Sequence, residues 1–295
     1  MAKDKVLSTS GIKSEFEKIV MSFTRAPWEV YCDFLQLAID AFLSDHTPEH
    51  PREKDYMKII GKYSHDEAQK FGDMLGLVFM YMRDTGKEFL ANMWMQLAAN
   101  SNLGQFFTPP VLCDLMSQIN YDAVDWDKYS PEKPCCISDP ACGGGLTLFY
   151  AVKKFPVEKR NSLFIHGVDV DINVCHCAAL NMLFLNVDAV IIHGNTLTME
   201  VWHVFRIRHH LAGGEIYEVK DPEQMRRWME FGFRRDGKGC EKSPEKPVES
   251  APIAENEIDS AVTPKEEETT ETEQEINNTG NEDIAKCDGR QLLLF

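Results

Sequence analysis

Asp139-Pro140-Ala141-Cys142-Gly143-Gly144-Gly145 is the stretch whose residue types could do chemistry. It lies between an apolar run, Cys135-Cys136-Ile137, and a helix-like segment, Leu146-Thr147-Leu148-Phe149-Tyr150-Ala151-Val152. A strand that ends in a carboxylate and a glycine cluster, then passes at once into a helix, brings bare backbone and helix N–H groups up to a ligand. Nucleotide-like molecules are held in this way. Asp169 ends a second apolar run that starts at Leu163, and it follows Gly143 by 26 residues. That is close to the roughly 20-residue spacing at which an acid meets ribose hydroxyls. A third run, Ala189-Val190-Ile191-Ile192-His193-Gly194, ends in Asn195. Three such strands place Asp139, Asp169 and Asn195 along one carboxyl edge of a parallel sheet, where open α/β sheets bind ligands.

Each of these residues also has a plainer role. Asp139 before a proline suits a turn. Asp169 suits the N-cap of a helix beginning near Ile172, which would leave Asp171 as the carboxylate for a ligand. Asn195 suits a turn. Cys175-His176-Cys177 is the metal-like cluster of the chain, but it falls within a helical pattern without a second ligand pair, so packing is expected and no metal is assigned.

With these elements in place, the chain resembles the adenine-N6 DNA methyltransferases, particularly the modification subunits of type I restriction systems. The resemblance runs from Asn102 to about Glu200. It rests on the Asp139–Gly145 loop, on Gly104-Gln105-Phe106-Phe107-Thr108-Pro109 upstream, on Gly167-Val168-Asp169 and on Gly194-Asn195-Thr196-Leu197. It implies a Rossmann-like α/β sheet that binds S-adenosyl-L-methionine. Gln105, Phe106, Phe107 and Thr108 would lie against its methionine end, and Pro140, Ala141, Gly143 and Gly145 would form the cofactor loop. Asp139 would sit near its ammonium group, Asp169 on its ribose and Asn195 on its adenine. The implied activity is methyl transfer to adenine in DNA, in a restriction-modification or anti-restriction setting. The implied partners are DNA and a second methyltransferase or specificity subunit.

The family carries an Asn or Asp, two prolines and an aromatic after its fourth strand, and this sequence has no such tetrapeptide. Its one double proline is Pro109-Pro110, upstream of the glycine loop. Gly214–Val219 is the expected fourth strand. The alternatives are therefore an inactive S-adenosylmethionine-binding protein and half of a two-chain enzyme.

The elements that must position these residues follow from composition and periodicity. The chain has 295 residues and a net charge of −16, with 15 acidic and 5 basic side chains in residues 241–290 alone. The remainder is mildly acidic and lacks the basic stripe of a self-sufficient DNA binder. Arg206-Ile207-Arg208-His209-His210 reads either as a phosphate contact or as a solvated surface. Residues 1–101 read as a helical domain, with apolar faces over Trp28–Leu43, Ala68–Met82 and Lys87–Ala99. Residues 102–238 read as the incomplete methyltransferase sheet, with Thr108 capping a helix that opens at Pro109.

Residues 239–290 have the composition of a disordered acidic tail. The chain then ends in Gln291-Leu292-Leu293-Leu294-Phe295, residues 291–295. This pentapeptide resembles the sliding-clamp-binding motif of bacterial replication proteins, so Gln291, Leu292, Leu294 and Phe295 are the expected clamp contacts. Nine cysteines without a repeated spacing suggest reduced thiols. No run approaches the ~18 apolar residues of a membrane span, and a cytoplasmic protein is expected.

Overall fold

A computed structural model describes residues 8–43, 50–98, 108–231 and 291–293. The expected N-terminal helices form as α2 (Pro27–Leu43), α4 (His65–Thr85) and α5 (Leu90–Ala98). Ser64 and Glu67 close a capping box at the start of α4, and Gly86 ends that helix in the left-handed conformation at φ 61°. Two further helices of the expected helical domain, α1 (Thr9–Met21) and α3 (Pro51–Ile60), were not singled out in the sequence. Helix α1 was legible, since Ile12, Phe16 and Val20 recur every four residues and are all buried.

Helix α6 (Pro110–Tyr121) begins one residue later than expected, with Pro109 as its N-cap and Thr108 outside the helix. Both prolines lack an N–H and so fit the start of a helix, where those donors have no helical partner. Its buried face is Cys113, Ser117 and Tyr121. The apolar side chains of Val111, Leu112, Leu115 and Ile119 are exposed.

The sheet has the order β5-β4-β3-β2-β1-β6. Its centre is the expected parallel set: β1 (Cys135–Asp139), β2 (Leu163–Asp169) and β3 (Asp188–Asn195). Helices α7 (Leu146–Lys154) and α8 (Ile172–Leu185) make the crossovers. Beyond β3 the direction changes, because β4 (Glu200–Arg208) and β5 (Glu215–Glu218) are both antiparallel additions. The expected fourth strand is thus the fifth, and it does not continue the parallel order.

Strand β4 absorbs part of the basic patch. Arg206 is buried, ion-paired with Asp188 at 3.1 Å, and near the rings of Phe164 and Trp228. It therefore serves the core and not a phosphate. Helix α9 (Pro222–Phe231) covers this face of the sheet through Trp228 and Met229, against Phe164, Val168, Val190 and Ile192. The opposite face packs on α8 and the N-terminal helices in one continuous core that runs from Phe16 and Phe34 to Ile137 and Ile165.

The short strand β6 (Gln291–Leu293) lies parallel to the outer edge of β1. The backbone of Gln291–Leu293 is therefore paired within the sheet, not free as a linear motif would be. Residues 239–290, Leu294 and Phe295 lie outside the described residues. Cys136 is disulfide-bonded, which departs from the expectation of reduced thiols, whereas Cys32, Cys113, Cys135, Cys142, Cys175 and Cys177 are free. Among the described residues no helix is long and apolar enough to cross a membrane.

Candidate ligand site at the carboxyl edge of the sheet

Two carboxylates from adjacent strands hold the glycine loop. Asp139, at the end of β1, accepts from the Ala141 N–H through Oδ1 at 3.1 Å and from the Thr147 hydroxyl through Oδ2 at 2.5 Å. It is 1% exposed. Burial pushes its pKa up against the pull of these donors. Asp169, at the end of β2, accepts from the Gly143 N–H through Oδ2 at 2.8 Å and from the Asp171 N–H through Oδ1 at 3.0 Å. Burial raises its pKa as well. A carboxylate has roughly four lone-pair sites, and these donors fill at least two of those on Asp169. Asp169 is only half-buried, so it keeps acceptor capacity at the surface. Asp171 is the residue that caps α8, accepting from the Asn173 N–H at 2.9 Å. The two acids read as alternatives in the sequence thus have separate roles.

The backbone of the loop suits only glycine at key points. Gly145 has φ 75°, which other residues rarely adopt. A Cβ on Gly144 would lie 2.6 Å from the Ala91 Cβ, so the loop packs directly against α5. Helix α7 starts immediately afterwards without a side-chain cap. Its first N–H groups thus have no side-chain acceptor from the N-cap residue.

The third strand is tied to the same place. Asn195 accepts from the Leu197 and Thr198 N–H groups at 2.9 and 3.3 Å, forming a turn. Thr196 donates its hydroxyl to the Pro140 carbonyl at 2.6 Å. Asp139, Pro140, Ala141, Gly143, Gly145, Asp169 and Asn195 therefore meet at one edge, as the strand pattern requires. Thr108 is described, but Gln105, Phe106 and Phe107 are outside the described residues.

Sequence reasoning missed a buried network behind the loop. Glu88 is 1% exposed. Its Oε1 accepts from the Ala91 N–H at 2.6 Å and from Asn181 Nδ2 at 3.0 Å. Its Oε2 accepts from the Asn92 N–H at 3.0 Å and from Asn92 Nδ2 at 2.8 Å. Asn181 Nδ2 also donates to the Gly144 carbonyl at 3.0 Å. Glu88 thus caps α5 and, through α8, steadies the glycine loop. A signal was present, since Asn181 is a lone polar residue in the apolar run Cys177–Leu185. Cys175, His176 and Cys177 are buried in α8, with His176 edge-on to Phe205.

The pattern of strand ends, loop and upstream helix has a counterpart among known proteins. Residues 86–215 match the family N-6 DNA Methylase. The match takes in Glu88 and α5 upstream and β4 downstream, beyond the segment that carries the resemblance in the sequence. The type I restriction enzyme MpnII methylase subunit of Mycoplasma pneumoniae is 29% identical over 147 residues, 48% of this chain and 25% of its own length. The chain thus spans about a quarter of the curated relative that it matches. A crystal structure of the type I restriction-modification system methyltransferase subunit from Streptococcus thermophilus is 19% identical. That comparison covers 61% of this chain and 34% of the other, with a TM-score of 0.32.

Proposed function

We propose that the carboxyl edge of β1–β3 binds S-adenosyl-L-methionine and that the chain serves methyl transfer to the amino group of adenine in DNA. The family match over residues 86–215 carries this reading. The residues present fit the cofactor. Gly143 and Gly145 have positive φ, Gly143 is partly exposed, and α7 starts directly after the loop without a side-chain cap. Asp169 is partly exposed and keeps acceptor capacity for the ribose hydroxyls. Asp139 is enclosed by Thr147 and Ala141, so its part is to hold the loop in shape. Thr196, bound to the Pro140 carbonyl, keeps the Asn195 turn against that loop.

S-adenosylmethionine supplies an electrophilic methyl group on a sulfonium centre. The chain contributes orientation, because a carboxylate and a helix N-terminus fixed on three strands hold a bound molecule at little further entropic cost. The target adenine must leave the duplex and be held by acceptors and an aromatic face. This sequence lacks the Asn/Asp-Pro-Pro-aromatic tetrapeptide for that task. We therefore read the chain as the cofactor-binding part of a cytoplasmic two-chain methyltransferase, with a second methyltransferase or specificity subunit holding the base. Incubation of the purified chain with tritiated S-adenosylmethionine and mixed-sequence DNA, with and without a candidate partner, tests it. Transfer that requires both the partner and Asp169 is expected. Transfer that survives Asp169→Ala sinks the assignment of the site.

A further inference from the structure

The outer edge of β1 is where the sheet would end without the C-terminal segment. Strand β1 is buried along its whole length, and its residues belong to both cores, Ile137 to one and Cys136 to the other. An edge of that kind presents unpaired N–H and C=O groups between two apolar layers, which is a template for an added strand. In this structure Gln291–Leu293 fill it in parallel, with Cys136 opposite Gln291, Ile137 opposite Leu292 and Ser138 opposite Leu293. Residues 232–290, 59 residues, separate this strand from the end of α9. The segment belongs to none of the crossovers that build the sheet. It ends one residue short of the level of Asp139, where β1 passes into the glycine loop.

We propose that the outer edge of β1 is a binding site for an extended apolar peptide, and that the chain's own Gln291–Leu293 segment occupies it in cis. Docking of the C-terminus on β1 and its capture by a receptor in trans are then mutually exclusive. A sliding clamp or any other binder of Gln-Leu-Leu must compete with the sheet. Its apparent affinity for the tail is lowered by the fraction of chains in which the strand is docked. Tethering puts the cis strand at an effective concentration approaching the millimolar range, so the edge is largely closed to peptide in dilute solution.

A fluorescent peptide of residues 288–295 would be titrated by anisotropy, in reducing buffer so that the disulfide at Cys136 is open, against the full chain and against a chain ending at Gly289. Neither readout involves S-adenosylmethionine or DNA, so failure here is separable from failure of the methyltransferase reading. The expected result is saturable binding to the shortened chain and binding about tenfold weaker or more to the full chain. Equal binding to both, or none to a shortened chain that keeps its far-ultraviolet spectrum, overturns the proposal.

Hydrogen exchange on the full chain gives a second measurement. Successive N–H groups of a strand point to opposite sides. At least one of Leu292→Pro and Leu293→Pro therefore removes a donor aimed at β1, and the double variant must do so. Exchange at whichever of the Cys136–Ser138 amides face β6, and not at those paired with β2, is expected to quicken at least tenfold in the double variant. Unchanged exchange at those amides refutes docking of the tail on β1.

Discussion

Replacing Glu88 separates a buried structural carboxylate from an incidental one. Its two oxygens receive four hydrogen bonds, two from backbone N–H groups of α5 and two from the side-chain amides of Asn92 and Asn181. In Glu88→Ala the Ala91 and Asn92 N–H groups lose their side-chain acceptor, the first in a buried and the second in a part-buried setting. Each orphan costs about 1–3 kcal/mol, so the loss from the two should be about 2–6 kcal/mol, with the vacated volume adding to it. That is a large part of the 5–15 kcal/mol by which domains are stable. Glu88→Gln keeps the volume yet should rescue little. Either placement of the new NH2 turns a donor toward groups that already donate, and roughly 2 kcal/mol remains lost. The assay is urea unfolding followed through Trp94 on α5, which is buried. A Glu88→Gln chain within about 0.5 kcal/mol of wild type, a change typical of a neutral surface position, would refute the described network.

Three further outcomes are expected. Burial pushes His166 down to about 4. Its Nε2 faces the Trp228 carbonyl and so carries the proton, while Nδ1 accepts from Ser138. As pH falls from its ordinary value near 6.5 toward 4, the unfolded chain takes up a proton that the folded chain refuses. Stability should therefore drop by up to about 1.4 kcal/mol per pH unit from this residue, and calorimetric melting of His166→Gln at pH 7 and pH 5 should show a shallower dependence. In Gly144→Ala the new methyl meets Ala91 at 2.6 Å. This should cost about 1–3 kcal/mol and lower S-adenosylmethionine affinity in the same preparation. Asp171→Ala, which removes the α8 cap, should cost about 1 kcal/mol in chemical denaturation and leave cofactor affinity within about twofold, since the loop bond belongs to Asp169.

Much of the candidate site is local in sequence and so was legible. Apolar runs ending at Asp139, Asp169 and Asn195 become the three parallel strands, and their ends meet because crossovers through α7 and α8 return the chain to the same edge. The division of labour between Asp169 and Asp171 was not legible, since both are acids before a helix and only the fold shows which faces Gly143. Arg206 was misread because a charged residue beside histidines looks like surface, whereas its pairing with Asp188 across β3 and β4 is non-local. Strand β4 was overlooked for the same reason, its alternation being masked by charge. Glu88 and Asn181 are 93 residues apart, and no periodicity joins them. The docking of Gln291–Leu293 on β1 is likewise a long-range pairing that a five-residue motif does not announce.

Isothermal titration of S-adenosylmethionine into the wild-type chain, Asp169→Ala and Asp171→Ala tests the central claim most directly. One equivalent is expected to bind the wild type. Asp169→Ala should weaken binding at least tenfold, as loss of charge-assisted hydrogen bonds worth about 1.5–3 kcal/mol requires, and Asp171→Ala should leave it nearly unchanged. Absence of binding to the folded wild-type chain, or equal affinity of all three, would contradict a cofactor site at the carboxyl edge.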